Sequence, residues 1–211
     1  MVKKILFQGD SITDSSWKRD GGLSDLNPGR FGYGYVLLTA ARLMAADPSR
    51  EVMCYNRGCS GHRIVDLYAR WKIDAINLKP DMISILIGVN DTWHEFARQN
   101  GVEVERYETI YRMLLEWTVK ELPEVKLVLC EPFALLSEIV TPAWLEEIGR
   151  RSLVVQKLAK EFNAVFVPFQ EVLNEAAAKA GDNSRILLDG VHPTVIGAQI
   201  MSDQWLKCVE C

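Results

Sequence analysis

The sequence contains no apolar run near the roughly 20 residues that a membrane-spanning helix needs. Behind Lys3 and Lys4 the only apolar stretch is Ile5 to Phe7. A secretory core takes about 7–15 such residues, so the start reads as a strand of the fold and not as a leader. Basic runs do not exceed Lys3-Lys4 or Arg150-Arg151, and the net charge is -4. That argues against a nucleic-acid partner, which needs a clustered basic face. Neither G-x-G-x-x-G nor a Walker sequence is present, which counts against a non-catalytic nucleotide- or phosphate-binding module. Cysteine is scarce and odd in number at five. Only Cys208-Val209-Glu210-Cys211 has C-x-x-C spacing, at the end of the sequence with no second pair and no histidine nearby. A structural zinc site needs four ligands, so no metal is expected. Reduced thiols in a cytoplasmic protein are the expectation.

What remains is an ordinary globular composition. The 211 residues are 48% hydrophobic and 25% charged, enough for one domain spanning residues 1–211 with a real core. There is no internal repeat. Apolar runs that read as strands cover 2–7, 52–56, 82–87, 126–130 and 164–167. Between and after them, helical spacing covers 35–46, 63–78, 104–121, 144–162, 169–179 and 194–208. Residues 15–34 form a long polar, glycine-rich connection, and loops of that length usually carry function or move. Short apolar strands alternating with helices predict an α/β chain: a three-layer α/β/α, flavodoxin-like fold with a five-stranded parallel sheet. In such sheets ligands bind beyond the carboxyl ends of the strands.

Chemistry-bearing residues fall at those ends. Gly9-Asp10-Ser11 follows the first strand, Gly58 the second and Asn90 the third. Asp189 and His192 share the loop before the last helix. A serine hydroxyl is a poor nucleophile until a base takes its proton. His192, one of three histidines, would be that base. Asp189, three residues before it, could accept the other imidazole N–H. Gly190 allows the tight turn that this pair needs. Ser11 N–H, Gly58 N–H and the Asn90 amide are candidate donors to an oxyanion. Each has a plainer reading: an Asp or Ser cap at 10 and 11, a turn glycine at 58, a cap or turn residue at 90, a surface histidine at 192, a helix cap at 189. The case for catalysis is their joint position at one sheet edge. Activity is then expected to fall as acid protonates the histidine, since free imidazole titrates near pH 6.5.

Gly9-Asp10-Ser11, Asn56-Arg57-Gly58, Gly88-Val89-Asn90-Asp91 and Asp189-Gly190-Val191-His192 resemble, in order, the four blocks of the SGNH (GDSL-type) hydrolase family. The resemblance implies a flavodoxin-like fold and ester hydrolysis without a cofactor. It also implies Ser11 as nucleophile, Asp189 and His192 as its partners, and Ser11, Gly58 and Asn90 as oxyanion donors. The runs Gly32-Tyr33-Gly34-Tyr35-Val36, Ala69-Arg70-Trp71 and Asn90-Asp91-Thr92-Trp93 are similar to the intracellular acetylxylan-esterase branch. That branch implies removal of acetyl groups from xylo-oligosaccharides, and homo-oligomers. Trp93, Trp17, Arg57 and His62 flank the expected site and suit a sugar, although a tryptophan there could equally be core. Cys59 reads as a small packed residue. A lysophospholipase, thioesterase or arylesterase of the same family is the alternative.

Overall fold

Strand β1 (Lys4–Gly9) runs through the middle of the molecule with Ile5, Leu6 and Phe7 fully buried. This computed structural model describes residues 4–19, 26–49 and 52–209. The expected strand residues Val2 and Lys3, positions 20–25 of the long connection, and Cys211 of the C-x-x-C lie outside them. β1 pairs in parallel with β2 (Met53–Gly58) on one side and β3 (Met82–Leu86) on the other. β4 (Lys126–Cys130) and β5 (Val165–Val167) extend the sheet, giving the order β2-β1-β3-β4-β5. The sheet is five-stranded and all parallel, as the strand pattern predicted.

Alternate side chains feed two cores. Ile5 and Phe7 pack with α2 (Tyr35–Ala46), α7 (Gln170–Ala180) and α8 (Val195–Cys208). Leu6, Ile83 and Ile85 pack with α3 (Ile64–Asp74), α5 (Val104–Glu121) and α6 (Pro142–Glu161). The result is three layers, α/β/α, and both faces of the sheet are apolar because both are covered. Buried indoles keep their N–H groups bonded: Trp205 Nε1 to Ser84 Oγ and Trp71 Nε1 to Thr118 Oγ1, each 2.9 Å.

The helices differ from the sequence reading in four places. The helix expected over 63–78 ends at Asp74, because Ala75 leaves helical geometry, and a 3₁₀ turn Ile76–Leu78 follows. α6 starts at Pro142, earlier than expected, capped by Thr141 Oγ1 on Trp144 N–H. Two helices were not foreseen: α1 (Ser11–Asp14) and α4 (Val89–Arg98). Both begin at the carboxyl edge of the sheet, on either side of the gap between β1 and β3. The chain leaves β1 for β2 on one side and joins β3 on the other, so this gap is the topological switch point.

Candidate active site

α1 lifts Ser11 out of the end of β1. Asp10 caps it, Oδ1 accepting Ile12 N–H at 3.0 Å. Gly9 has no room for a side chain: an added Cβ would lie 2.3 Å from Leu86 O and 2.4 Å from Thr13 Oγ1. Glycine there lets α1 pack directly on the neighbouring strand. Ser11 Oγ lies 2.9 Å from His192 Nε2, across 181 positions of sequence.

His192 and Asp189 sit on one tight loop before α8. Gly190 has φ +88, and a Cβ there would meet Leu135 O at 2.4 Å. Asp189 Oδ1 accepts the backbone N–H groups of Val191 and His192 at 3.0 and 2.8 Å, and Oδ2 lies 2.7 Å from His192 Nδ1. Burial pushes the Asp189 carboxyl up, but the N–H and ring hydrogen bonds it accepts outweigh this and hold its pKa below the usual value. Ser137 Oγ donates to Asp189 O at 2.7 Å, and Leu135 N–H to Gly190 O at 2.8 Å, so the segment after β4 braces the loop. Thr194, and not Asp189, caps α8, through Gly197 N–H.

Asn90 is buried in the first turn of α4 and donates one amide hydrogen to His62 O at 3.2 Å, and the other has no acceptor among the described residues. Its partner donor requires a correction. Gly58 N–H, an expected oxyanion donor, is held by Asn56 Oδ1 at 2.8 Å. Gly58 is glycine for another reason: a Cβ would lie 2.2 Å from Asp14 N, inside α1. In the following loop Cys59 N–H goes to Gly9 O, Ser60 N–H to Asp14 Oδ2 and His62 N–H to Cys59 O. Arg63 N–H goes to Asp66 Oδ2 and Ile64 N–H to Asp91. Gly61 N–H alone in this run has no acceptor among the described residues. Gly61 has φ +81 and open space where a Cβ would stand. Among the described residues, Gly58 N–H is thus taken up inside the loop, whereas Gly61 N–H, three residues on, is not.

Trp93 packs beside the histidine, ring centres 5.8 Å apart, and edge-on to Trp144. The other expected contact residues also have partners within the fold. Trp17 is buried and donates Nε1–H to Gly58 O at 2.8 Å. The Arg57 guanidinium lies 5.0 Å from the Trp17 ring centre. His62 Nδ1 accepts Arg70 Nε–H at 3.1 Å, and burial, then the Arg70 charge, lowers the His62 pKa. Cys59 is buried, and the Arg19 guanidinium donates to its Sγ. Sequence reasoning missed Arg70 as a positioning residue. Its guanidinium also reaches Gln8 Oε1, Gly9 O, Arg57 O and Asp74 Oδ2 at 2.8–3.1 Å, clamping the ends of β1 and β2. No residue-type pattern announces such a clamp, since its acceptors are two backbone carbonyls and three side chains scattered along the sequence.

The model of the GDSL-like lipase/acylhydrolase family matches residues 7–200. A curated acetylxylan esterase of Geobacillus stearothermophilus is 35% identical over 97% of this chain and 93% of its own length. Among solved structures, a chain of Parabacteroides merdae designated a GDSL-like lipase superposes with TM-score 0.92 at 39% identity. It covers 98% of this chain and 94% of its own. Axe2, an acetylxylan esterase from Geobacillus stearothermophilus, superposes with TM-score 0.86 at 34% identity, covering 97% and 93%. Structures of Axe2 described as catalytic mutants replace a serine, an aspartate and a histidine, the last two three positions apart.

Proposed function

The chain belongs to the GDSL-like lipase/acylhydrolase family and is a carboxylic ester hydrolase, and we propose that it removes acetyl groups from xylo-oligosaccharides or other carbohydrates through an acyl-serine. Ser11 Oγ attacks the acetyl carbonyl carbon while His192 Nε2 takes its proton. The tetrahedral oxyanion is met by Ser11 N–H, Gly61 N–H and the second amide hydrogen of Asn90. Collapse breaks the bond to the sugar oxygen, which leaves with the proton from His192. Water then attacks the acetyl-Ser11 carbonyl, His192 again taking and returning a proton, and acetate leaves. Asp189 holds Nδ1–H, so that Nε2 is the free acceptor.

The observation that carries this reading is the unbroken line from Ser11 Oγ to His192 Nε2, 2.9 Å, and from His192 Nδ1 to Asp189 Oδ2, 2.7 Å. The Geobacillus acetylxylan esterase supports it twice: by the substrate class in its name, and by catalytic mutants at a serine and at an aspartate and histidine spaced as Asp189 and His192 are. Cys59, Cys130 and Cys208, which form no disulfide among the described residues, suit a reducing compartment such as the cytoplasm. No helix among the described residues is long and apolar enough to cross a membrane. A homo-oligomer is the assembly that goes with this reading, checked by light scattering.

The test is acetate release from acetylated xylo-oligosaccharides, acetylated pectin fragments and aryl esters of rising chain length. The expected result is a sharp preference for acetate, with Ser11→Ala slower by at least about three orders of magnitude. Higher rates on acyl chains of about eight carbons, or an unaffected Ser11→Ala protein, would overturn it.

A further inference from the structure

Positive charge gathers where the long connection after α1 folds back onto the end of β2. Lys18 N–H bonds Gly29 O at 2.8 Å, and Asn56 Nδ2 donates to Phe31 O at 2.8 Å, so both sides of the connection lie against that strand end. Trp17 is pinned there by its bond to Gly58 O. Two guanidiniums lie against its ring, Arg57 at 5.0 Å and Arg19 at 5.3 Å, and Arg57 also lies 5.9 Å from the Tyr55 ring centre. Burial first, then Asp74 in the opposite sense, and then the like charges of Arg30 and Arg19 leave the Arg57 pKa below its ordinary value. Arg19 is exposed and Arg57 half-buried. Neither has a carboxylate at ion-pair distance among the described residues. Asp74 is bound to Arg70 at 3.1 Å, and Asp14 accepts from the backbone and hydroxyl of Ser60.

In a chain of net charge -4, guanidiniums with no carboxylate at ion-pair distance among the described residues repel one another, and a bound anion relieves the repulsion. The cluster is one loop away from the reacting centre. Cys59, which Arg19 touches, donates its N–H to Gly9 O, two residues before Ser11, and Gly61 lies in the same loop. A guanidinium fork suits a planar carboxylate better than a spherical ion, and both of these lie against the same rigid indole. We propose that Arg19 and Arg57, held by Trp17, form a subsite for the carboxylate of a uronic acid carried by the acetylated oligosaccharide. The proposal rests on the carbohydrate reading above and narrows it to acidic glycans.

The test is calorimetric and needs no hydrolysis. The protein is titrated with a deacetylated xylo-oligosaccharide bearing one uronic acid, and with its neutral carboxyl-reduced counterpart. The acidic sugar is expected to bind about tenfold tighter at low salt, the worth of one charge-assisted hydrogen bond. That preference should shrink with added salt and vanish in the Arg19→Gln/Arg57→Gln protein. If that double variant does not fold, the exposed Arg19→Glu change serves instead and should reverse the preference. Equal affinities in the parent protein, or a preference that survives these substitutions, would overturn the subsite. Aryl acetate hydrolysis is measured alongside: activity with equal affinities defeats the subsite alone, and an acid preference without hydrolysis defeats the esterase chemistry alone.

Discussion

Asp10 is buried next to Ser11 in the chain, with Oδ1 on Ile12 N–H and Oδ2 without a hydrogen-bond partner among the described residues. Burial raises its pKa to about 7, against the opposing pull of the Ile12 hydrogen bond and of the His192 and Arg70 charges. A carboxyl that titrates higher in the folded chain than in the unfolded one binds its proton more tightly when folded. Its contribution is therefore favourable at acid pH and is lost as pH rises from about 4 to about 7. Asparagine can keep the cap without the charge. The Asp10→Asn protein is expected to gain on the parent in melting temperature by several degrees between about pH 5 and about pH 8, where each pK unit is worth about 1.4 kcal/mol. A difference that does not change with pH would refute this assignment. At Asp189, asparagine would offer the imidazole an amide and favour the wrong tautomer, and kcat should fall about 10⁴-fold with KM little changed. Asn90→Ala should cost about 100–1000-fold in kcat. These residues stood out in the sequence because their roles demand one residue type at one place. Gly61 did not, because a backbone amide carries no side-chain signature, and only the bonds made by its neighbours set it apart from Gly58.

At the scale of elements, the site depends on how α1 sits on β2. Asn56 holds Thr13 O and Phe31 O, Asp14 holds Ser60, and Arg70 spans both strand ends. Gly58→Ala would drive a methyl into the Asp14 backbone, displacing α1 and Ser11 with it. It should cost about 1–3 kcal/mol of stability as well as activity, whereas Gly61→Ala meets no atom and suffers only from its positive φ. Chemical denaturation of both proteins, with kcat beside it, separates the two glycines. Arg70→Lys keeps the charge but cannot reach five acceptors, so it should lower both stability and kcat. The helix α4 escaped the sequence reading because part of its inward face is polar. Asn90, Asp91 and Thr92 are buried there, Asp91 holding Ile64 N–H at the start of α3. Apolar periodicity finds helices that pack on a core, and this one packs on a site. The four-residue α1 is too short for any period, and only its Asp10 cap was visible.

For the whole molecule, five apolar segments between helices were enough to predict the parallel sheet and its three layers. The flavodoxin-like reading also carried their order, β2-β1-β3-β4-β5, which no single segment records because it is set by which crossover lies on which side. The order explains why loops far apart in sequence meet. Ser11 and Asn90 flank the gap between β1 and β3, while the loop of Asp189 and His192 reaches it braced by Leu135 and Ser137. The long connection was recognised as a feature, but its charged fold onto β2 depends on contacts, Trp17 with Gly58 and Lys18 with Gly29, that no sequence spacing encodes.

All of this turns on Ser11 being the atom that carries the acyl group. Incubation with a serine-directed organophosphonate, followed by peptide mass mapping, tests it most directly. The account predicts one phosphonyl group per chain, on the peptide containing Ser11, gained in step with loss of esterase activity and absent from the His192→Ala protein. Activity that disappears with Ser11 unmodified, or a label found on Cys59 or any other residue, would contradict it.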